Sequence, residues 1–202
     1  NCPMDENKKE IWSAEVKWLR AYFLFNLAFY YKDVPMPLTT LTVEEANSIA
    51  QTPQAEVYAQ VEKDLKEAIP LLPLEQKGDD LGRVSKGAAQ TLLARLYMGQ
   101  GKYTEAANVL KEVINSGVYS LDRSNGDDSY EKLFHNGGEK SPETIFCVLG
   151  LKEKFTNSRY IYLFPEAVGG WHQFAVYNEL VKEYFCSDGK SIEDSPLYDD
   201  ND

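Results

Sequence analysis

At 202 residues the chain is long enough to bury a core of its own, as one domain or two, and its 43% hydrophobic and 26% charged residues are those of a globular protein. Its 32 acidic against 21 basic residues leave a formal charge of −11, and with no basic stripe to offset it a nucleic acid would meet net repulsion. Cys2, Cys147 and Cys186 lie far apart with no Cys-x-x-Cys pair, so a structural zinc site has nothing to start from.

Lys8 to Tyr31 reads as one long helix. Its second half, WLRAYFLFNLAFYY from Trp18, is apolar on nearly every face, which predicts packing on all sides. Arg20 is the exception, and a guanidinium in that setting calls for a carboxylate or carbonyl partner. This run is too short to cross a membrane and carries Arg20 and Asn26 besides. Two prolines, Pro35 and Pro37, then force an extended path, with a short helical turn expected at 43–49.

Thr52 is placed to cap a helix that starts at Pro53. Val57, Tyr58, Val61, Leu65, Ala68 and Ile69 form its buried stripe; Glu62, Lys63, Lys66 and Glu67 form a solvated face. From Arg83 to Gly117 two more helices follow. Ser85 caps the first, whose inner face is Ala88, Ala89, Leu92, Leu93, Leu96 and Tyr97. Gly99 to Gly101 supply the turn. The second helix carries Tyr103, Ala106, Ala107, Leu110, Val113 and Ile114 on one face and ends at Gly117, where a left-handed cap is wanted. Small Ala94 and Ala106 let the two backbones approach, with Tyr97 and Tyr103 filling the space beside them. A small residue, an aromatic three positions on and Tyr-x-x-Ala opening the next helix are similar to a tetratricopeptide repeat; an ordinary αα-hairpin is the competing reading. The expected fold is therefore mainly α, with tetratricopeptide-like hairpins stacked in pairs over residues 1–121 so that each buries the other's apolar face.

Beyond Gly117 the pattern changes. Residues 122–202 read as an irregular, aromatic-rich region with little strand, the one strand at 143–149 (ETIFCVL) and a last helix at 176–185. Cys147 falls in the apolar run and reads as a small buried hydrophobe. Within SRYIYLFPEAVGGWHQF, Tyr160, Tyr162, Trp171, His172 and Phe174 supply the aromatic surface that the apolar face of a sugar requires, and Gly169-Gly170 let Trp171 project. The competing role for Trp171 is to anchor the loop on the core.

Five segments in order carry a resemblance: WLRAYFLFNLAFYYKDVPMPL from Trp18, TPQAEVYAQVEKDLKEAIPLLP from Thr52, GRVSKGAAQTLLARLYMGQGKYTEAANVLKEVINSGVYSL from Gly82, SPETIFCVL from Ser141, and YNELVKEYFCSDGKSIEDSPLYD from Tyr177. Together they resemble the SusD/RagB family of outer-membrane nutrient-binding lipoproteins. The resemblance implies a non-catalytic protein on the extracellular face of the outer membrane, which captures oligosaccharide or another nutrient for a TonB-dependent (SusC-like) transporter. It implies no cofactor, and membrane attachment only through a lipid anchor. The anchor is expected outside this chain, which reads as a piece of something longer, because Cys2 has no apolar leader before it.

Two other functions compete. A helical-repeat scaffold would bind a protein and no small ligand. An all-α enzyme would need a catalytic constellation. Nothing singles out a carboxylate pair among the 32 acids, His135 and His172 have no evident partners, and neither a Gly-rich phosphate loop nor Gly-x-Ser-x-Gly occurs.

Overall fold

A computed structural model describes residues 3–135, 137–149 and 190. The chain divides into the units Asn1–Leu149 and Gly150–Asp202, and the helices described below belong to the first. Helix α1 spans Glu6–Tyr31, α2 Val43–Ser48, α3 Gln54–Ala68, α4 Lys86–Gly99, α5 Tyr103–Asn115 and α6 Ser129–Lys132, with short 3₁₀ turns at Gly78–Asp80, Gly126–Asp128 and Gly138–Lys140. Helix α1 packs on α3 and α4 on α5, while α3 lies against α4 and α1 also touches α4. These are the two stacked hairpins that the periodicity predicts.

The α1–α3 hairpin closes around its long connection. Lys32 takes φ +62° and sends its N–H back to the Ala28 carbonyl at 3.0 Å, which ends α1. Val34 and Thr52 then exchange both backbone hydrogen bonds as an antiparallel bridge, at 3.2 and 2.9 Å. The capping differs from expectation: Pro53 is the N-cap and offers no side-chain acceptor, so the Gln54 N–H donates to Asp33 Oδ1 at 2.9 Å. Thr52 stands one residue ahead of the N-cap, so the cap comes from the opposite arm, which ties the start of α3 to the end of α1. The Gln54 amide adds a second tie by donating to the Ala28 carbonyl at 2.7 Å. Within the connection α2 forms as expected, held by a capping box between Thr42 and Glu45.

The second hairpin follows its sequence signals closely. Ser85 Oγ accepts from the Ala88 N–H, and all six predicted inner-face residues of α4 are buried. Gly101, at φ +72°, makes the turn into α5, and the Lys102 N–H returns to the Tyr97 carbonyl at 2.9 Å. Ala94 and Ala106 are buried where the two backbones approach. Tyr103, however, is exposed, as are Ala107 and Ile114, so only Tyr97 fills the space between these helices. The reason is position: α5 is an outer helix covered on one side, and its buried face narrows to Ala106 and Val113 flanked by Val109 and Leu110.

Two further expectations are corrected. Helix α1 buries Ala14, Trp18, Ala21, Leu24, Phe25 and Ala28, at the three-and-four spacing of one face. It is not packed on all sides, because α3 and α4 line only that face among the described residues. Residues 143–149 are also not a strand. No neighbouring strand offers a ladder among the described residues, and the segment instead lays Ile145 and Phe146 on the helices. Phe146 meets Trp18 with ring centroids 4.9 Å apart. The bulky residues there serve packing rather than pairing.

Candidate functional site

The sequence-predicted ligand surface, Tyr160, Tyr162, Trp171, His172 and Phe174, lies outside the described residues, as does the helix expected at 176–185. The other histidine, His135, is exposed and faces Glu131, four residues earlier, at 3.5 Å. Among the described residues no group of His, Cys, Asp and Glu is arranged to hold a metal ion, and no helix is long and apolar enough to cross a membrane. Burial pushes the Cys147 thiol up, with the Glu139 charge adding to it, which suits an inert packing role rather than a nucleophile.

The stack is fixed by ion pairs as well as by its core. Asp64, only 1% exposed, accepts from Arg20 Nε at 2.7 Å and Nη2 at 2.6 Å, and from Gln60 Nε2 at 2.9 Å. This is the carboxylate partner that Arg20 requires, though the fully buried member is the acid. Arg83 likewise grips Glu15 with two hydrogen bonds, its guanidinium lying 5.6 Å from the Trp12 ring centroid. A third node joins the hairpins: Glu62 accepts from Lys66 at 2.6 Å and from Tyr97 Oη at 3.0 Å. Burial opposes ionisation of Glu62, yet those two hydrogen bonds together with the charges of Lys66 and Lys102 outweigh it and hold the carboxyl below its ordinary 4.5. Asp64 and Glu62 sit on the helix that the sequence divides into stripe and solvated face. The signal for Asp64 is its register, since it falls between Val61 and Leu65 on the inner side.

Two surface features have the form of contact sites. The first is the outer face of α1, where Trp12, Val16, Leu19, Phe23, Leu27 and Tyr30 recur every three or four residues and are all exposed, Phe23 to 61%. The second is a cleft of ≈ 530 Å³ between the 75–81 loop and the 139–144 turn. Its apolar lining is Leu81, Val118, Tyr119 and Pro142, and its charged lining is Glu75, Lys77, Glu139 and Lys140. A second concavity of ≈ 460 Å³ shares Lys140, Ser141 and Pro142 with it.

A family model for SusD-like proteins, described as starch-binding and associating with the outer membrane, matches residues 4–98. Among curated proteins, two SusD-like proteins of Formosa agariphila, P25 and P2, are 27% and 32% identical over 135 and 113 residues, or 67% and 55% of this chain. The chain spans 25% and 22% of their lengths, about a quarter. Among solved structures, a SusD-like carbohydrate-binding protein from Bacteroides fragilis superposes with a TM-score of 0.84 at 28% identity, over 97% of this chain and 38% of that one. A laminarin-binding SusD-like protein matches with a TM-score of 0.60 at 38% identity, over 67% of this chain and 31% of that one. The stacked hairpins, the family model over α1 to α4 and these relatives agree: the chain is similar to SusD-like proteins over most of its length.

Proposed function

We propose that this chain is the helical platform, with part of the ligand side, of a non-catalytic cell-surface protein that captures oligosaccharide and passes it to a TonB-dependent outer-membrane transporter. The observation that carries this reading is the fit, over nearly the whole chain, to a SusD-like carbohydrate-binding protein. The laminarin-binding relative and the starch-binding description of the matched family support a glycan as the cargo. A lipid anchor outside this chain would hold the protein on the extracellular face. Two ion pairs, Arg20–Asp64 and Lys17–Glu67, brace α1 against α3, which suits a rigid support for loops that meet the cargo.

Trp171, with Tyr160, Tyr162, His172 and Phe174, is assigned the ligand surface, because aromatic faces stack on the apolar side of a pyranose. Isothermal titration of the full-length protein against a panel of neutral hexasaccharides tests both parts. Binding that Trp171→Ala weakens at least tenfold is expected. Binding that Trp171→Ala leaves unchanged removes Trp171 from the site, and an absence of binding throughout removes the glycan reading. The scaffold alternative draws on one observation, the exposed apolar face of α1, and would be favoured by that absence of binding.

A further inference from the structure

The cleft between the 75–81 loop and the 139–144 turn is separate in sequence from the aromatic segment at 158–174, and its lining is built for a particular kind of ligand. Tyr119 is its one aromatic among the described residues. That ring is fixed on two sides. Its hydroxyl lies 3.1 Å from Ser85 Oγ, and its edge occupies the space that a side chain at Gly87 would need. A ring held in place before binding loses little freedom when a ligand stacks on it. Leu81 and Val118 beside it are half-buried, so the apolar lining continues beyond the ring.

The polar lining is equally specific. Gln76 donates its amide to the Val84 carbonyl at 2.9 Å, which orients the side chain and leaves its own Oε1 without a donor among the described residues. Thr144 Oγ1 donates to the Gly138 carbonyl at 3.0 Å and keeps its lone pairs available. Lys77 and Glu75 stand 2.7 Å apart as an exposed pair, a donor beside an acceptor, which matches adjacent hydroxyls. Lys140 has no carboxylate within ion-pair distance among the described residues. Among the described residues, the four charges lining the cleft, Glu75 and Glu139 against Lys77 and Lys140, cancel. An anionic ligand would gain no net attraction, and a purely apolar one would strand the charged groups. A volume of ≈ 530 Å³ is ample for a small ligand.

We infer that this cleft is a second carbohydrate-contact site, taking a neutral oligosaccharide with a sugar face on Tyr119 and its hydroxyls on Gln76, Thr144 and the Glu75–Lys77 pair. The inference rests on the glycan-binding reading but names a different surface. Methyl-resolved NMR of the full-length protein tests it, with laminari-, malto-, xylo- and mannohexaose as neutral probes and an oligogalacturonate as the anionic one. The Leu81, Val118 and Thr144 methyls are expected to shift with at least one neutral probe and not with the uronate. Lys77→Ala combined with Lys140→Ala, both at exposed positions, is expected to weaken the response at those methyls about fivefold without lowering the melting temperature. Neutral-glycan binding that leaves these methyls unmoved overturns the cleft while the general function stands. A stronger response to the uronate overturns the neutral ligand class. No binding of any probe overturns the cleft and the glycan reading together.

Discussion

The clearest dependence of the stack on single residues is at Arg20 and Asp64. Two hydrogen bonds from the guanidinium and one from Gln60 satisfy a carboxylate that solvent hardly reaches. Removing only the cation strands that charge, so Arg20→Ala should cost about 3 kcal/mol, whereas Arg20→Met with Asp64→Leu should recover most of the loss. Urea unfolding of Arg20→Met, Asp64→Leu and the pair reads the coupling directly. Glu62 sets a pH dependence. Its carboxyl is held below 4.5 in the folded protein, so the folded state binds fewer protons than the unfolded chain near that pH. The stability it contributes is complete above 4.5 and is lost as pH falls through the lower folded value. Glu62→Gln should therefore flatten this part of the acid loss, seen as a smaller drop in urea midpoint between about pH 6 and pH 3.

At the scale of an element, the start of α4 combines a cap with a close approach. Ser85 caps the helix and also meets Tyr119, so Ser85→Ala should destabilise by about 1 kcal/mol or somewhat more. Gly87 separates two opposing effects. Alanine gains about 1 kcal/mol over glycine within a helix, but a methyl here collides with the Tyr119 ring, and overpacking costs about 1–3 kcal/mol. The clash should win, so Gly87→Ala lowers the melting temperature in the natural background. In a Tyr119→Ala background the same change should raise it, and a loss in both backgrounds would remove Tyr119 as the cause. Elements also show how far local sequence reaches. Ser85, Gly101 and Gly117 act as their types predict because caps and left-handed turns are settled within a few residues. The cap of α3 does not follow that rule, since its acceptor on Asp33 lies 21 positions away. Residues 143–149 miss for a related reason: β-branched and aromatic residues fit a strand only where another strand is present to pair with them.

For the molecule as a whole, the outer face of α1 is the largest departure from expectation. A helix apolar all round is ordinarily enclosed. Here one apolar stripe faces α3 and α4, and a second, from Trp12 to Tyr30, faces outward. Val16→Lys with Phe23→Lys should leave the urea midpoint almost unchanged, within about 0.5 kcal/mol per site, because neither side chain is in the core. The same pair should sharply reduce binding of a fluorescent apolar dye, which reports contiguous exposed hydrocarbon.

The sequence by itself determined the described helices of the stack, their order and the stacked hairpins, and it carried the likeness to SusD-like proteins, because a periodic apolar face and its caps are encoded locally and the hairpins pair with their neighbours along the chain. It also required a partner for Arg20. Only the tertiary structure decided that the partner is Asp64, that one stripe of α1 stays outside, and that Gln76, Tyr119 and Thr144 line one cleft. Those outcomes depend on which surfaces meet across 25 to 68 residues of chain, as Tyr119 near Gly87 and Arg83 with Glu15 both show. Such a meeting leaves no periodic trace in the residues that make it.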